Sequence, residues 1–180
     1  MNDSDLVKNC LQGNVESYRE LMNRYQSYAM AVALNILMNY EDAQDVCQEA
    51  FLKAFQNLAK FDLQKSFKNW LYALLYHRCL DYLRRRKSFF QMLSRLRIEK
   101  QADDALRSGV PVSSYSEEFR LLNHLGPKER ISLYLWSQEG YSGSEIASVL
   151  ECSVKTAHVH LYKARTKLKA LLRERKNGKL

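Results

Sequence analysis

The chain has 180 residues, 46% hydrophobic and 27% charged, a balance that excludes a disordered polymer and suits one domain or two small ones. A formal net charge of +8 favours a polyanionic partner, either nucleic acid or an anionic membrane surface. The four cysteines, Cys10, Cys47, Cys79 and Cys152, form no C-x-x-C pair, no signal-peptide pattern opens the sequence, and no apolar run nears the ~18 residues that span a bilayer. The expectation is a cytoplasmic protein with reduced thiols and no zinc site.

Charge is unevenly placed. Residues 1–63 carry 5 Lys/Arg against 9 Asp/Glu, residues 64–100 carry 10 against 2, and residues 154–180 carry 9 against 1. Two basic blocks separated by neutral or acidic sequence imply two places where a phosphate backbone is met.

Only two prolines and six glycines interrupt the chain, and apolar residues recur at three- and four-residue intervals almost throughout. That pattern predicts an all-α fold: two small helical domains joined by a flexible linker, the second a helix-turn-helix. The expected division is a first domain over residues 1–90, a linker over 91–115 and a second domain over 116–180. The first clear helix is expected over about 15–38. A second starts at Asn39, whose side chain can cap free amides while Asp42 suits the positive first turn. Its buried stripe is expected to be Ala43, Val46, Cys47, Ala50, Phe51, Ala54, Phe55 and Leu58.

Residues 61–66 break the pattern as a loop. Another helix is expected from Phe67 to Lys87, burying Leu71, Leu74, Leu75 and Tyr82 and ending in Arg84, Arg85, Arg86 and Lys87. Beyond Ser88 the periodicity fades, and ADDALRSGVPVSSYS has the composition of a linker. A short helix over about 116–125 stops at Gly126, and Pro127 is well placed to open the next.

Ser142 and Glu145 form an S-x-x-E capping box at the start of a helix that buries Ile146, Ala147, Val149 and Leu150. After the break at Glu151, Cys152 and Ser153, a last helix carries apolar residues at Val154, Ala157, Leu161, Ala164, Leu168 and Leu171. One side is thereby committed to packing. Lys155, Thr156, His158, Val159, Tyr162 and Lys163 are left to reach base edges, with Lys167, Lys169, Arg173, Arg175 and Lys176 extending a basic face. His158 and His160, two residues apart on a helix, do not face each other and make no metal site.

Three strings point to a family: DAQDVCQEAFLKAFQNLAKF at 42–61, SFKNWLYALLYHRCLDYLRRRK at 66–87 and EGYSGSEIASVLECSVKTAHVHLYKARTKLKALL at 139–172. In order and spacing they resemble the extracytoplasmic-function (ECF) sigma factors of the sigma-70 family, bacterial proteins made of regions 2 and 4. The resemblance implies a sigma subunit that binds core RNA polymerase and directs promoter recognition, promoter melting and transcription initiation. It implies contacts with the clamp helices of the beta-prime subunit and the flap of the beta subunit, and an anti-sigma factor, often membrane-bound, as a further partner.

The residues fit those roles. Asp42, Asp45, Gln48, Glu49 and Leu52, with Lys53, lie largely off the buried stripe and give an acidic surface with an apolar centre, suited to a basic protein. The resemblance makes it the core polymerase-binding surface. Phe61, Phe67, Trp70, Tyr72 and Tyr76 are interleaved with Lys65, Lys68 and Asn69, and aromatic faces beside cations suit unstacked bases. Some of these aromatics, Trp70 above all, also have the spacing of core residues. The resemblance places the minus-ten strand on Phe61, Lys65, Ser66, Lys68, Asn69, Tyr72 and His77, with Arg84, Arg85 and Arg86 on phosphates. Minus-thirty-five DNA falls to Lys155, Thr156, His158, Val159, His160, Tyr162, Lys163 and Arg165.

Three positions depart from the family pattern. His77 stands where Asn is usual, which leaves the minus-ten base preference open, and His158 and His160 stand where Lys or Arg is typical. Upstream binding then rests more on Lys155, Lys163 and Arg165. In the family the linker threads toward the catalytic cleft and the RNA exit path, a setting that Asp103 and Asp104 would suit.

No nucleophile-plus-base arrangement, phosphate-cradling glycine loop or metal cluster appears in the sequence, so no enzyme activity, cofactor or metal is expected. The rival reading is a stand-alone helix-turn-helix transcriptional regulator. It explains the tail but leaves the acidic helix and the aromatic loop unused. A more distant rival is an adaptor whose basic blocks bind protein.

Overall fold

A computed structural model describes residues 1–95 and 117–176, and among them every regular element is helical. The N-terminal module consists of α1 (Asp3–Leu11), α2 (Val15–Leu37), α3 (Tyr40–Gln56), a 3-10 turn (Leu58–Lys60) and α4 (Phe67–Arg95). The C-terminal module consists of α5 (Glu117–Leu121), a 3-10 turn (Leu122–His124), α6 (Pro127–Ser137), α7 (Gly143–Val149) and α8 (Val154–Lys176). Asp103 and Asp104 lie outside the described residues.

Side chains at the helix starts explain where the chain turns. Asn39 accepts the Asp42 amide at 2.9 Å, as the sequence predicts, and the preceding Met38 closes α2 in the left-handed region at φ 57°. That two-residue break folds α3 back along α2. The two helices pack together, and Ala29 and Ala33 on α2 and Ala43, Ala50 and Ala54 on α3 are fully buried. Leu71, Leu75 and Cys79 of α4 complete this core. Each fully buried Leu stabilises the fold by about 1.5–3 kcal/mol.

Several details differ from the sequence expectation. α1 was not foreseen; it is held by Tyr25 Oη donating to Asp3 at 2.5 Å and by Ser4 Oγ donating to the Leu63 carbonyl. Its short, mixed stretch gives little periodic signal by itself. α4 runs on from Lys87 to Arg95, because Phe89, Phe90 and Met92 bring no helix breaker. Phe55 is 41% exposed rather than core, its ring 4.9 Å from that of Tyr18.

In the C-terminal module, Ser142 accepts the Glu145 amide at 3.3 Å while the Glu145 carboxylate accepts the Ser142 amide at 2.8 Å, so the capping box forms. Ser153 likewise caps α8, accepting from the Thr156 amide. Ala157, Leu161 and Ala164 are buried against the module core, whereas Val154 is exposed and Leu168 and Leu171 are half-buried. α8 outlasts its shorter neighbours, so the ends of its stripe have less to pack on.

The two modules are in contact, α6 against α2 and α7 against α4. Arg130 forms one join. Buried on α6, it donates from Nε to the Asn35 carbonyl at 2.8 Å and from Nη2 to the Ile36 carbonyl at 2.6 Å, while Nη1 holds the Leu125 carbonyl of its own module. A helix leaves its last carbonyls unpaired, and a cation suits that negative end. Burial pushes the Arg130 guanidinium down to about 10, which still leaves it charged at neutral pH.

Candidate nucleic-acid interface

Aromatic and polar residues at the start of α4 divide between core and surface. Phe61, Phe67 and Trp70 pack on one another with ring centroids 5.1–5.6 Å apart. Phe61 and Phe67 are buried and Trp70 is half-buried, so Phe61 serves the core first. Lys65 is exposed, and Ser66 caps α4 through the Asn69 amide.

The rest of the expected strand-facing set meets the other module. Lys68 Nζ lies 2.5 Å from Glu139 Oε2 and 4.6 Å from the centre of the Tyr28 ring. Tyr72 is fully buried, donates to Glu139 Oε1 at 3.2 Å and stacks under Tyr141 at 6.3 Å. Tyr141 donates in turn to Asn69 Oδ1 at 2.5 Å. His77 Nε2 stands 3.0 Å from Glu151 Oε2, an ion pair when the ring is protonated, though the orientation makes no hydrogen bond. Lys68, Asn69, Tyr72 and His77 are therefore brought together on one face beside the other module, with Tyr72 buried and the other three partly exposed.

Farther along α4, Arg84 pairs with Asp81 at 2.8 Å, Arg85 is exposed, and Arg86 binds Asp42 at 2.8 Å. Asp42 also accepts from Tyr82 Oη at 2.6 Å. It lies at the start of α3 on the side that meets α4, which makes it half-buried rather than part of an open acidic surface. Asp45, Gln48, Glu49 and Leu52 do point outward, with Leu52 59% exposed and Phe55 beside it.

On α8, Lys155, Thr156, His158, Val159, Tyr162, Lys163 and Arg165 are exposed, Tyr162 to 71%, while His160 is half-buried. Burial first, then Lys128 and Lys163, hold the His160 ring below its ordinary range against the opposing pull of Glu129. The ring is neutral at pH 7. The His158 ring lies directly over Gly143, filling the place a Cβ would take there. Trp136, 42% exposed, carries the Arg165 guanidinium 4.6 Å above its ring beside a groove of about 950 Å³ between α6 and α8.

Short helix, tight turn and longer basic helix thus form, with the polar face of the last helix open. Glu151 makes the turn in the left-handed region at φ 48°, a place where glycine is the usual occupant. Two family models match the chain, Sigma-70 region 2 over residues 21–89 and Sigma-70, region 4 over residues 119–168. The chain belongs to the sigma-70 family, in its ECF group.

Among relatives of this sigma factor, a probable RNA polymerase sigma factor of Haemophilus influenzae is 31% identical, matching 72% of this chain and 76% of its own length. The ECF RNA polymerase sigma factor SigW of Bacillus subtilis is 25% identical over 93% of this chain and 95% of its own. The solved structure of CnrH in complex with the cytosolic domain of CnrY is 26% identical, with a TM-score of 0.67 over 94% of this chain and 96% of that one. That match runs through both regions. The sigma factor is an alternative specificity subunit that directs transcription initiation by RNA polymerase.

Sequence reasoning missed the residues that join region 4 to region 2: Arg130, Glu139, Tyr141 and Glu151. For Arg130 a signal was present, since it precedes Ile131 on the buried side of α6. Glu139 and Glu151 sit in turns, where a carboxylate reads as solvated. Among the described residues, no helix is long and apolar enough to cross a membrane and no cluster of His, Cys, Asp or Glu could hold a metal ion.

Proposed function

We propose that this sigma factor divides its surfaces between protein and DNA as follows. Asp45, Gln48, Glu49 and Leu52, joined by Phe55, dock on the clamp helices of the beta-prime subunit. Lys65, Ser66, Lys68, Asn69, Tyr72 and His77 hold the melted minus-ten strand, with Arg84 and Arg85 on phosphates. Asp42 and Arg86 act by bracing α3 against α4. The exposed face of α8, from Lys155 to Arg165, enters the major groove at the minus-thirty-five element. Region 4 also meets the flap of the beta subunit.

The observation that carries this reading is the opposition of two exposed faces. An acidic one with Leu52 at its centre repels DNA and suits a basic protein, while the cationic face of α8 suits phosphates. Such a chain works in the cytoplasm. A solved relative, the sigma factor RpoE of Bartonella quintana, forms a complex with the anti-sigma factor NepR. An anti-sigma protein, membrane-bound or soluble, is the matching partner proposed here.

The deciding experiment adds the purified chain to core polymerase lacking a specificity subunit and sequences the promoter DNA retrieved with the complex. Transcription from those promoters is expected to need both components. A chain that binds duplex promoter DNA alone and never associates with core polymerase would instead be a stand-alone regulator.

A further inference from the structure

On α2 the buried stripe runs through Leu21, Tyr25, Ala29, Val32 and Ile36, and Tyr28 falls beside it, 47% exposed. A lone exposed ring on a helix is ordinary, so its neighbours decide what it is for. Lys68 Nζ, the ammonium proposed to hold the melted strand, lies over the Tyr28 ring, 4.6 Å from its centre. Tyr28 is on α2 and Lys68 in the first turn of α4, so only the packing of the two helices brings them together.

The neighbouring rings fix where Tyr28 stands. Its centroid is 6.4 Å from that of Tyr25, which is buried, tied to Asp3 through its hydroxyl and packed on Phe67 at 5.6 Å. Phe67 is the first residue of α4 and precedes Lys68. Tyr28 is thus the open end of a row of rings leading to Lys65, Ser66, Lys68 and Asn69. The aromatics that the sequence interleaves with those residues are poorly placed to receive a base: Phe61, Phe67, Tyr72 and Tyr76 are buried and Trp70 is half-buried. Lys68 also pairs with Glu139, and its side chain is 27% exposed. A partly open ring with a cation against it offers a single strand stacking for a base and charge for the adjoining phosphate.

We propose that Tyr28 is a further strand-binding residue of region 2, a stacking platform from α2 for one base of the melted minus-ten strand, with Lys68 neutralising the phosphate beside it. The proposal rests on the assignment of Lys68 and Asn69 to that strand. It spreads the strand face over two helices, α4 supplying cations and polar groups and α2 the aromatic surface. Every base has a face that can stack, so Tyr28 adds affinity and little base preference.

The test uses the full chain bound to core polymerase and a fluorescent single strand bearing the minus-ten element of a promoter retrieved with that complex. Tyr28→Leu removes the ring and should weaken strand binding about tenfold, whereas Tyr28→Phe keeps it and should stay within about twofold of wild type. In the wild-type complex, 5-bromouracil placed at successive positions of the same strand should crosslink to Tyr28 on irradiation, a readout that needs no variant to fold. No crosslink to Tyr28 from any position would overturn the proposal. Equal losses with Tyr28→Leu and Tyr28→Phe would trace the effect to the hydroxyl and overturn the stacking. If Lys68→Met and Asn69→Ala weaken strand binding while Tyr28→Leu does not, the proposal falls and the strand assignment stands. If neither Lys68→Met nor Asn69→Ala weakens it, the strand assignment falls and the proposal with it.

Discussion

The guanidinium of Arg130 in region 4 donates to the carbonyl of Ile36 in region 2 at 2.6 Å, and to that of Asn35 at 2.8 Å. One buried fork thus satisfies two helix-end carbonyls in the other region and, in its own, the carbonyls of Leu125 at 2.7 Å and Leu122 at 3.5 Å. Arg130→Met keeps the volume and removes the donors. Each hydrogen bond to a charged group contributes about 1.5–3 kcal/mol, so urea unfolding should show a loss of that order or more. Arg130→Lys should not restore it, because an ammonium lacks the planar fork. A fully stable Arg130→Met variant would contradict this role.

Asp42 and Asp45 are three residues apart on one helix and should behave oppositely. Asp42 is held by Tyr82 and Arg86, so Asp42→Ala should cost region 2 about 1–3 kcal/mol in a thermal or urea melt. Asp45 is exposed, so Asp45→Lys should leave the melt within ~0.5 kcal/mol of wild type. Asp45→Lys, or Glu49→Lys, should instead weaken binding to core polymerase about tenfold, equivalent to ~1.4 kcal/mol. Unchanged affinity with both substitutions present would remove this face from the docking surface.

Much of this architecture is written locally. Asn39, the Ser142 and Glu145 box, Ser153 and Pro127 each act within one turn of sequence, so helix starts are legible from neighbouring residues. The stripe of α3 is equally plain up to Ala54 and fails at Phe55, where the helix reaches an edge and the ring rests on Tyr18 at the surface. What the sequence leaves hidden is long-range. Nothing near Glu139 or Tyr141 announces that they meet Lys68, Tyr72 and Asn69, some seventy positions away. Placing Phe61 among the strand-facing residues also overlooks that it has core partners of its own, Phe67 and Trp70.

Acid should weaken region 4 in two stages. Burial raises the Glu129 carboxyl, but the Lys167 ammonium at 2.8 Å and the Gly126 amide more than offset it, leaving it below its ordinary 4.5. That stabilisation is complete above about pH 4.5 and is lost as pH falls through the lower folded value. His160, held below its ordinary 6.5 by burial and by Lys128 and Lys163, is protonated more readily unfolded than folded. Its penalty sets in as pH falls below about 6.5 and grows until the folded value is passed. Thermal melts from pH 7.5 to 4 should therefore flatten above pH 4.5 in His160→Gln and below it in Glu129→Gln. Identical profiles for wild type and both variants would refute the assignment.

Lys155 and His160 separate charge from contact on the upstream face. Lys155 is exposed near the start of α8, where a recognition helix meets the groove, and it carries a full charge. If it neutralises a phosphate, Lys155→Ala should lower duplex affinity and reduce the slope of log affinity against log salt by about 1. His160 is half-buried and neutral at pH 7, so His160→Ala should leave that slope unchanged whatever it does to affinity. Gly143→Ala adds a third arm: its methyl group would take the space of the His158 ring and force the ring to move. Because His158 is on the same exposed face, the variant should alter base preference at the upstream element while keeping the salt slope of wild type. The measurement is a salt titration of duplex binding for all three variants beside wild type. A slope that falls with His160→Ala and stays fixed with Lys155→Ala would reverse the two roles, because phosphate neutralisation is the source of the salt dependence.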